Sequence, residues 1–271
     1  MDDLFGPEQA APWIAVPGID DDKYARGVVG FVTGSARYPG AAVLGVEAAA
    51  RTGVGMIRYL GPGRPTRLVL QRRPEAVTVD GRVQAWVLGS GQDAAERDDT
   101  TAELLRAALA QRVPVVIDGG ALDLHGSATG PVLLTPHAGE LARLVGRDVD
   151  DIRADPSAAA LAAARDLRAT VLLKGHTTHV ATPDGGMLRV RSASPAPAVA
   201  SQDGALAGIL GALLATHATR LADEPDVLAP LAATGAVLHG LAAERASAGG
   251  PLRVLDLAAE LPRVIAGLLA A

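Results

Sequence analysis

Short runs of β-branched residues recur along this 271-residue chain, and longer stretches rich in Ala and Leu separate them. Few layouts accommodate that alternation. A run of strand length followed repeatedly by a stretch of helix length predicts a parallel sheet with helices packed on its faces. Gly27–Gly34 (GVVGFVTG) reads as a buried strand, residues 35–38 as a turn and Pro39–Thr52 as a helix capped by Gly53. Further strands are expected at Met56–Leu60, Thr66–Leu70, Val83–Leu88, Pro114–Asp118, Val132–Thr135 and Thr170–Leu173. A helix is expected over 94–111, another from Asp155-Pro156, and three more over 204–216, 226–246 and 256–269. Pro183-Asp184-Gly185-Gly186 sits between extended runs within 179–190 and predicts a β-hairpin. No linker or repeat interrupts this order, so 1–271 is expected to be one domain.

Composition narrows the chemistry. Hydrophobic residues make up 49% of the chain and aromatic ones only 3%, so Ala, Val and Leu must build the core. Cysteine is absent, which excludes disulfides, a thiolate nucleophile and Cys-ligated metal. A formal net charge of −5 argues against nucleic acid, which is bound by a surplus of Lys and Arg. The start, Met1-Asp2-Asp3-Leu4-Phe5, has acids where a secretory signal carries basic residues, and a cytoplasmic location is the expectation. The uncharged stretch 204–218 is too short to span a membrane and reads as a buried helix, so no membrane partner is expected.

In open α/β sheets, ligands bind where strand ends turn into helices. Five such turns fall at 35–42, 89–91, 135–140, 174–178 and near Gly204. Small residues in Gly34–Ala42 let a ligand approach backbone N–H groups at a helix start, though an ordinary turn has the same composition. His137 could hydrogen-bond a ligand at the mouth of the sheet or be structural. Glu140, in the first turn of the next helix, could favour the helix dipole or face a hydrated Mg²⁺. Lys174 could meet phosphate as a point charge, with Gly175, His176, Thr177 and Thr178 beside it, or be an exposed strand-end lysine. Asp203 reads as a helix N-cap or as a carboxylate able to take a proton from a substrate hydroxyl. His239-Gly240 reads as packing.

These segments, in this order, resemble the ADP-dependent NAD(P)H-hydrate dehydratases of the ribokinase-like superfamily. The resemblance covers nearly the whole chain. It runs through Lys23-Tyr24-Ala25-Arg26-Gly27, Tyr38-Pro39-Gly40-Ala41-Ala42, Arg73-Pro74-Glu75, Gly89-Ser90-Gly91, Thr135–Glu140, Lys174-Gly175 and Leu238-His239-Gly240-Leu241-Ala242. It implies a three-layer sandwich with a mostly parallel central sheet and helices on both faces, working as a homo-oligomer. It also implies that ADP or ATP with Mg²⁺ activates the ring hydroxyl of hydrated NADH or NADPH, after which phosphate and a proton leave. Ala41, Gly91, His137 and Gly204 would meet the hydrated cofactor, and Lys174–Thr178 with Asp203 the nucleotide.

Two positions depart from the family pattern. Family members carry Gly-x-Gly-Asp at the start of the buried helix, and here Ser201-Gln202-Asp203-Gly204 stands there. The carboxylate is displaced by one residue, a turn of about 100° around a helix axis, and stands where a glycine would admit phosphate. Gly120 stands where relatives have a second acidic residue. A catalytically impaired member that binds nucleotide or dinucleotide for regulation or assembly is therefore a second reading, and a small-molecule kinase a third. The epimerase domain often fused to the family is not seen in this sequence.

Overall fold

The computed structural model of the protein describes residues 4–191 and 202–270. Eight strands form one sheet: β1 Val28–Val32, β2 Met56–Tyr59, β3 Ala85–Leu88, β4 Val115–Ile117, β5 Val132–Leu134, β6 Thr170–Leu173, β7 Thr177–Ala181 and β8 Met187–Arg191. Their order is β2-β1-β3-β4-β5-β6-β7-β8. The first six run parallel, and β7 and β8 close one edge as an antiparallel hairpin. Helices cover both faces of the parallel part, so β1, β3, β4 and β6 are buried along their whole length and read as unbroken apolar runs.

The helices are α1 Pro7–Ala10, α2 Gly40–Thr52, α3 Gly63–Arg72, α4 Asp99–Leu109, α5 Ala138–Val145, α6 Val149–Ala154, α7 Pro156–Leu167, α8 Gln202–Thr216, α9 Ala218–Asp223, α10 Leu228–Ser247 and α11 Val254–Leu269. Strand alternation sorts the core into two halves. Val29 and Phe31 pack with α2, α8, α10 and α11, whereas Val28 and Val32 pack with the face built by α4, α5, α6 and α7. The segment Pro225–Ser247 is apolar and long enough to match a membrane span, and its most apolar 18-residue stretch is 72% buried inside the protein, as a core helix would be.

Two contacts hold α2 in place, and α2 carries one wall of the site. A methyl group on Gly208 of α8 would overlap the Gly45 carbonyl of α2, so glycine at 208 is what lets the two helices come this close. Glu47, fully buried on α2, accepts hydrogen bonds from Arg51 at 2.6 Å, Arg73 at 2.6 Å and Arg72 at 3.0 Å. Burial pushes its carboxyl upward, but the three guanidiniums prevail and hold it below the usual carboxylate value.

The structure corrects several expected elements. Residues 66–70 form no strand but lie within helix α3. Thr-Arg-Leu-Val-Leu looks β-like in isolation, yet over the wider segment the buried residues are Pro65 and Val69, a helical i, i+4 pair. Pro65 is tolerated because first-turn N–H groups have no intrahelical acceptor. The helix expected over 94–111 is divided: a 3₁₀ turn at Ala94–Glu96 precedes α4, whose N-terminus is capped by Asp98 through the Thr101 N–H at 2.7 Å. Helices α6 and α9, each six residues, are too short to leave a periodic signal.

Candidate active site

The C-terminal ends of β3, β4, β5 and β6 lie side by side, and each delivers a polar residue to one point. Backbone bonds carry the ladder past the strand ends: Asp118 N–H donates to the Leu88 carbonyl, Thr135 N–H to Ile117 and Lys174 N–H to Pro136, at 2.9–3.1 Å. Asp118, 3% exposed, sits at the centre. It accepts from Ser90 Oγ at 2.8 Å, Thr135 Oγ1 at 2.9 Å and Lys174 Nζ at 2.9 Å. Burial raises the Asp118 carboxyl, and the Lys174 charge with these hydrogen bonds more than reverses that, leaving it below its ordinary value.

Lys174 is the hub of the cluster. Besides Asp118, its Nζ lies 3.1 Å from Asp203 Oδ2 and 3.6 Å from Glu140 Oε2. Burial pulls its ammonium down, and the charges of Asp118, Asp203 and Glu140 push it well above the usual lysine value. One cation and three carboxylates leave the cluster net negative. Asp118 and Lys174 are shut away from solvent, but the Asp203 side chain is 49% exposed, the most open of the three carboxylates. Lys174 is therefore no exposed strand-end lysine, and Asp203 is no N-cap, because α8 already begins at Gln202. Ser201, the first position of the departed motif, lies outside the described residues.

His137 is the N-cap of α5. Its Nδ1 accepts from the N–H groups of Gly139 at 3.0 Å and Glu140 at 3.2 Å, and Glu140 Oε2 returns the contact to the His137 N–H at 2.8 Å. This is a capping box. Two N–H groups aimed at Nδ1 require it to be unprotonated, which puts a ring proton on Nε2, 3.5 Å from Glu140 Oε1. Glu140 thus both completes the cap and faces Lys174. His137 and Lys174 are also paired across the ends of β5 and β6.

Beside this cluster three small residues pack closely together. Gly91 has φ +70°, and a methyl group there would overlap the Ala41 side chain. One on Gly204 would stand 3.1 Å from the Ala41 carbonyl oxygen. Ala41, Gly91 and Gly204 are therefore neighbours, and Ser90 links them to Asp118. Gly120 is crowded from the other side: a methyl there would overlap the Gln92 backbone, and Arg97 donates to the Gly120 carbonyl at 2.5 Å. No acidic side chain fits at 120 with this backbone.

A cleft of about 680 Å³ opens from Lys174 along Gly175, His176 and Thr177. Thr178, the next residue of β7, is not part of its lining, because neighbouring strand residues face opposite sides. His239 lies within α10, away from these strand ends. Of the loops singled out in the sequence, 89–91, 135–140, 174–178 and the start of α8 each bring a side chain to the Lys174 cluster. The sequence reading passed over Asp118, Ser90 and Thr135 as individual groups, although their position at the ends of adjacent parallel strands is the signal that marks them. Among the described residues no group of three or more His, Asp or Glu stands ready to hold a metal ion, because the carboxylates converge on Lys174.

The sequence profile of a family described as NAD(P)H-hydrate dehydratase matches residues 29–263. The bifunctional NAD(P)H-hydrate repair enzyme Nnr of Mycobacterium tuberculosis is 41% identical over 219 residues, 76% of this chain and 44% of that protein. The ADP-dependent (S)-NAD(P)H-hydrate dehydratase of Xanthomonas campestris is 36% identical over 223 residues, covering 74% of this chain and 76% of its own length. The chain spans about half the length of the bifunctional relatives it matches. Among solved structures, the Bacillus subtilis ADP/ATP-dependent NAD(P)H-hydrate dehydratase co-crystallised with ATP/Mg²⁺ and soaked with CoA is 25% identical. It superposes with a TM-score of 0.84 over 99% of this chain and 100% of that one. A ribokinase-like superfamily protein from Enterococcus faecalis, 22% identical over 98% of this chain and 96% of its own, has the same fold at a TM-score of 0.84.

Proposed function

Because the chain belongs to the NAD(P)H-hydrate dehydratase family, we propose that it dehydrates hydrated NADH or NADPH with ADP or ATP as phosphoryl donor. The observation that carries this reading is the Asp118–Lys174–Asp203 cluster beside the closely packed small residues Ala41, Gly91 and Gly204. The hydrated nicotinamide is taken to lie beside Ala41, Gly91, Gly204 and His137. The nucleotide lies along 174–178, where the buried ammonium of Lys174 faces the phosphates.

Asp203 takes the proton of the ring hydroxyl as the hydroxyl oxygen bonds to the terminal phosphorus and the phosphoanhydride bond breaks. The carbon–oxygen bond of the phosphorylated ring then breaks, phosphate leaves, and loss of a proton from the neighbouring carbon restores the double bond. Displacement of the carboxylate from 204 to 203 is compatible with this role because Asp203 reaches Lys174, whose charge offsets the repulsion between carboxylate and phosphate. Mg²⁺ would arrive on the nucleotide and neutralise charge on its oxygens, with Asp203 the exposed carboxylate that faces its hydration shell.

The same reading has the protein acting on small molecules in the cytoplasm as a homo-oligomer, with the net charge of −5 in support of small partners over nucleic acid. The test is direct. Purified protein, hydrated NADH, ADP and Mg²⁺ are mixed, and the return of reduced-nicotinamide absorbance is followed. Recovery that depends on nucleotide and is lost in Asp203→Asn supports the reading. Nucleotide binding without recovery sinks it in favour of an impaired binder.

A further inference from the structure

Every residue from 15 to 25 is exposed, and two of them are large and apolar: Val16 is 67% exposed and Ile19 100%. The loop is nonetheless shaped by its own hydrogen bonds. Asp21 N–H donates to the Gly18 carbonyl at 3.3 Å and Gly18 N–H to Asp21 Oδ2 at 2.8 Å, while Asp22 Oδ1 accepts from the Tyr24 and Ala25 N–H groups, each at 2.8 Å. Ile19 and Asp20 are therefore the central residues of a closed turn. Asp21 and Asp22 are engaged within the loop, whereas the Asp20 carboxylate has no partner among the described residues.

A single apolar side chain in water is common. What marks this one is the hollow beside it. A depression of about 290 Å³ lies at the N-terminal ends of β3, β4 and β5, the opposite end of the sheet from the Lys174 cluster. Val113, Pro114, Pro131 and Leu221 give it an apolar floor, Arg82 and Arg112 stand exposed at its rim, and none of its lining residues is acidic. Among the described residues no carboxylate pairs with the Arg112 guanidinium. Tyr24 joins loop to hollow: its carbonyl accepts from Gln84 Nε2 at 3.4 Å, and its ring centre is 6.0 Å from the Arg82 guanidinium.

One face thus carries an apolar, acidic protrusion next to an apolar, basic hollow. Ile19 is wholly exposed, so the loop does not fill the hollow of its own chain. A small anion would satisfy the arginines and leave Ile19 in water. A second copy satisfies both, because a two-fold axis brings the same patch of each chain together and makes every contact twice.

We propose that two copies of this chain pair reciprocally through this face, Ile19 of each entering the hollow of the other and Asp20 meeting Arg112 there. This rests on the homo-oligomer part of the proposed function and not on the reaction.

Sedimentation velocity over a concentration series, on wild type, Ile19→Asp, Asp20→Lys and Arg112→Glu, tests it. Wild type is expected as a dimer or an even multiple of one. All three side chains are exposed, so each variant should melt as wild type does. Each should lose the pairing, with Kd raised about 100-fold for Ile19→Asp because the loss is taken twice. An equimolar mixture of Asp20→Lys and Arg112→Glu should pair again, since in the mixed pair every swapped charge faces an opposite one. A monomeric wild type overturns both this pairing and the homo-oligomer reading. An oligomer that persists unchanged in folded Ile19→Asp and Arg112→Glu overturns the pairing alone, and so does a mixture that stays dissociated. A paired wild type that fails to restore reduced nicotinamide overturns the dehydratase reading and leaves the pairing standing.

Discussion

Lys174 Nζ lies 2.9 Å from Asp118 Oδ1, and neither side chain is more than 10% exposed. A pair so buried is costly to break from one side, because the remaining buried charge loses its nearest opposite charge and gains no water. Lys174→Met is expected to lower stability by roughly 3 kcal/mol, whereas Lys174→Met with Asp118→Leu should lose less than the sum of the single changes. Urea unfolding at pH 7 measures both. The pH dependence has two limbs of opposite sign. Asp118 has a depressed folded pKa, so its contribution holds above the unfolded value of about 3.9 and is lost as pH falls through the lower folded value. Lys174 has a raised folded pKa, so its contribution holds below about 10.4 and is lost as pH rises through the higher folded value. Asp118→Asn should therefore flatten the acid limb, which Glu47, also depressed, will keep partly in place.

Asp203 separates a chemical role from a structural one, because its half-exposed side chain contributes little to folding. Asp203→Asn is expected to leave the melting temperature nearly unchanged and to lower kcat by about 10²–10⁴-fold. Its KM for nucleotide should stay level or fall, since a negative charge near the phosphates is removed. A loss confined to KM would place Asp203 in binding and leave the proton without an acceptor.

His137 carries two functions on opposite ring nitrogens, and one substitution can part them. Asparagine is a good N-cap, so His137→Asn should preserve α5 and change stability by only a few tenths of a kcal/mol. It does not reproduce the Nε2–H beside Glu140, and KM for the hydrated cofactor should rise while kcat changes less. His137→Ala should show the same kinetic defect together with a loss of about 1 kcal/mol of stability. Equal KM in the wild type and His137→Asn would confine the residue to capping.

The order of strands and helices was legible because burial on both faces imposes long apolar runs, as in Val28–Val32 and Thr170–Leu173. The segment 66–70 reads as a strand because five residues are too few to distinguish a period of 2 from 3.6 when four of them are Thr, Leu or Val. Site loops were legible through their glycines and through His137 and Lys174. Asp118 was not, because an aspartate after an apolar strand looks like a turn residue until Ser90, Thr135 and Lys174 converge on it from three other strands.

The contact between α2 and α8 ties this local geometry to the backbone. A methyl group on Gly208 would collide with the Gly45 carbonyl, which is backbone and cannot rotate away, so Gly208→Ala must push the helices apart. A loss of about 2 kcal/mol is expected, read from the urea midpoint. On Gly204 the same group would stand 3.1 Å from the Ala41 carbonyl oxygen, a displacement of only a few tenths of an ångström. Gly204→Ala should therefore cost less stability than Gly208→Ala. It presses directly on the wall proposed to receive the hydrated nicotinamide, and KM for that substrate should rise more than in Gly208→Ala. The reverse ranking in KM would move the substrate away from Ala41 and toward the other side of the Lys174 cluster.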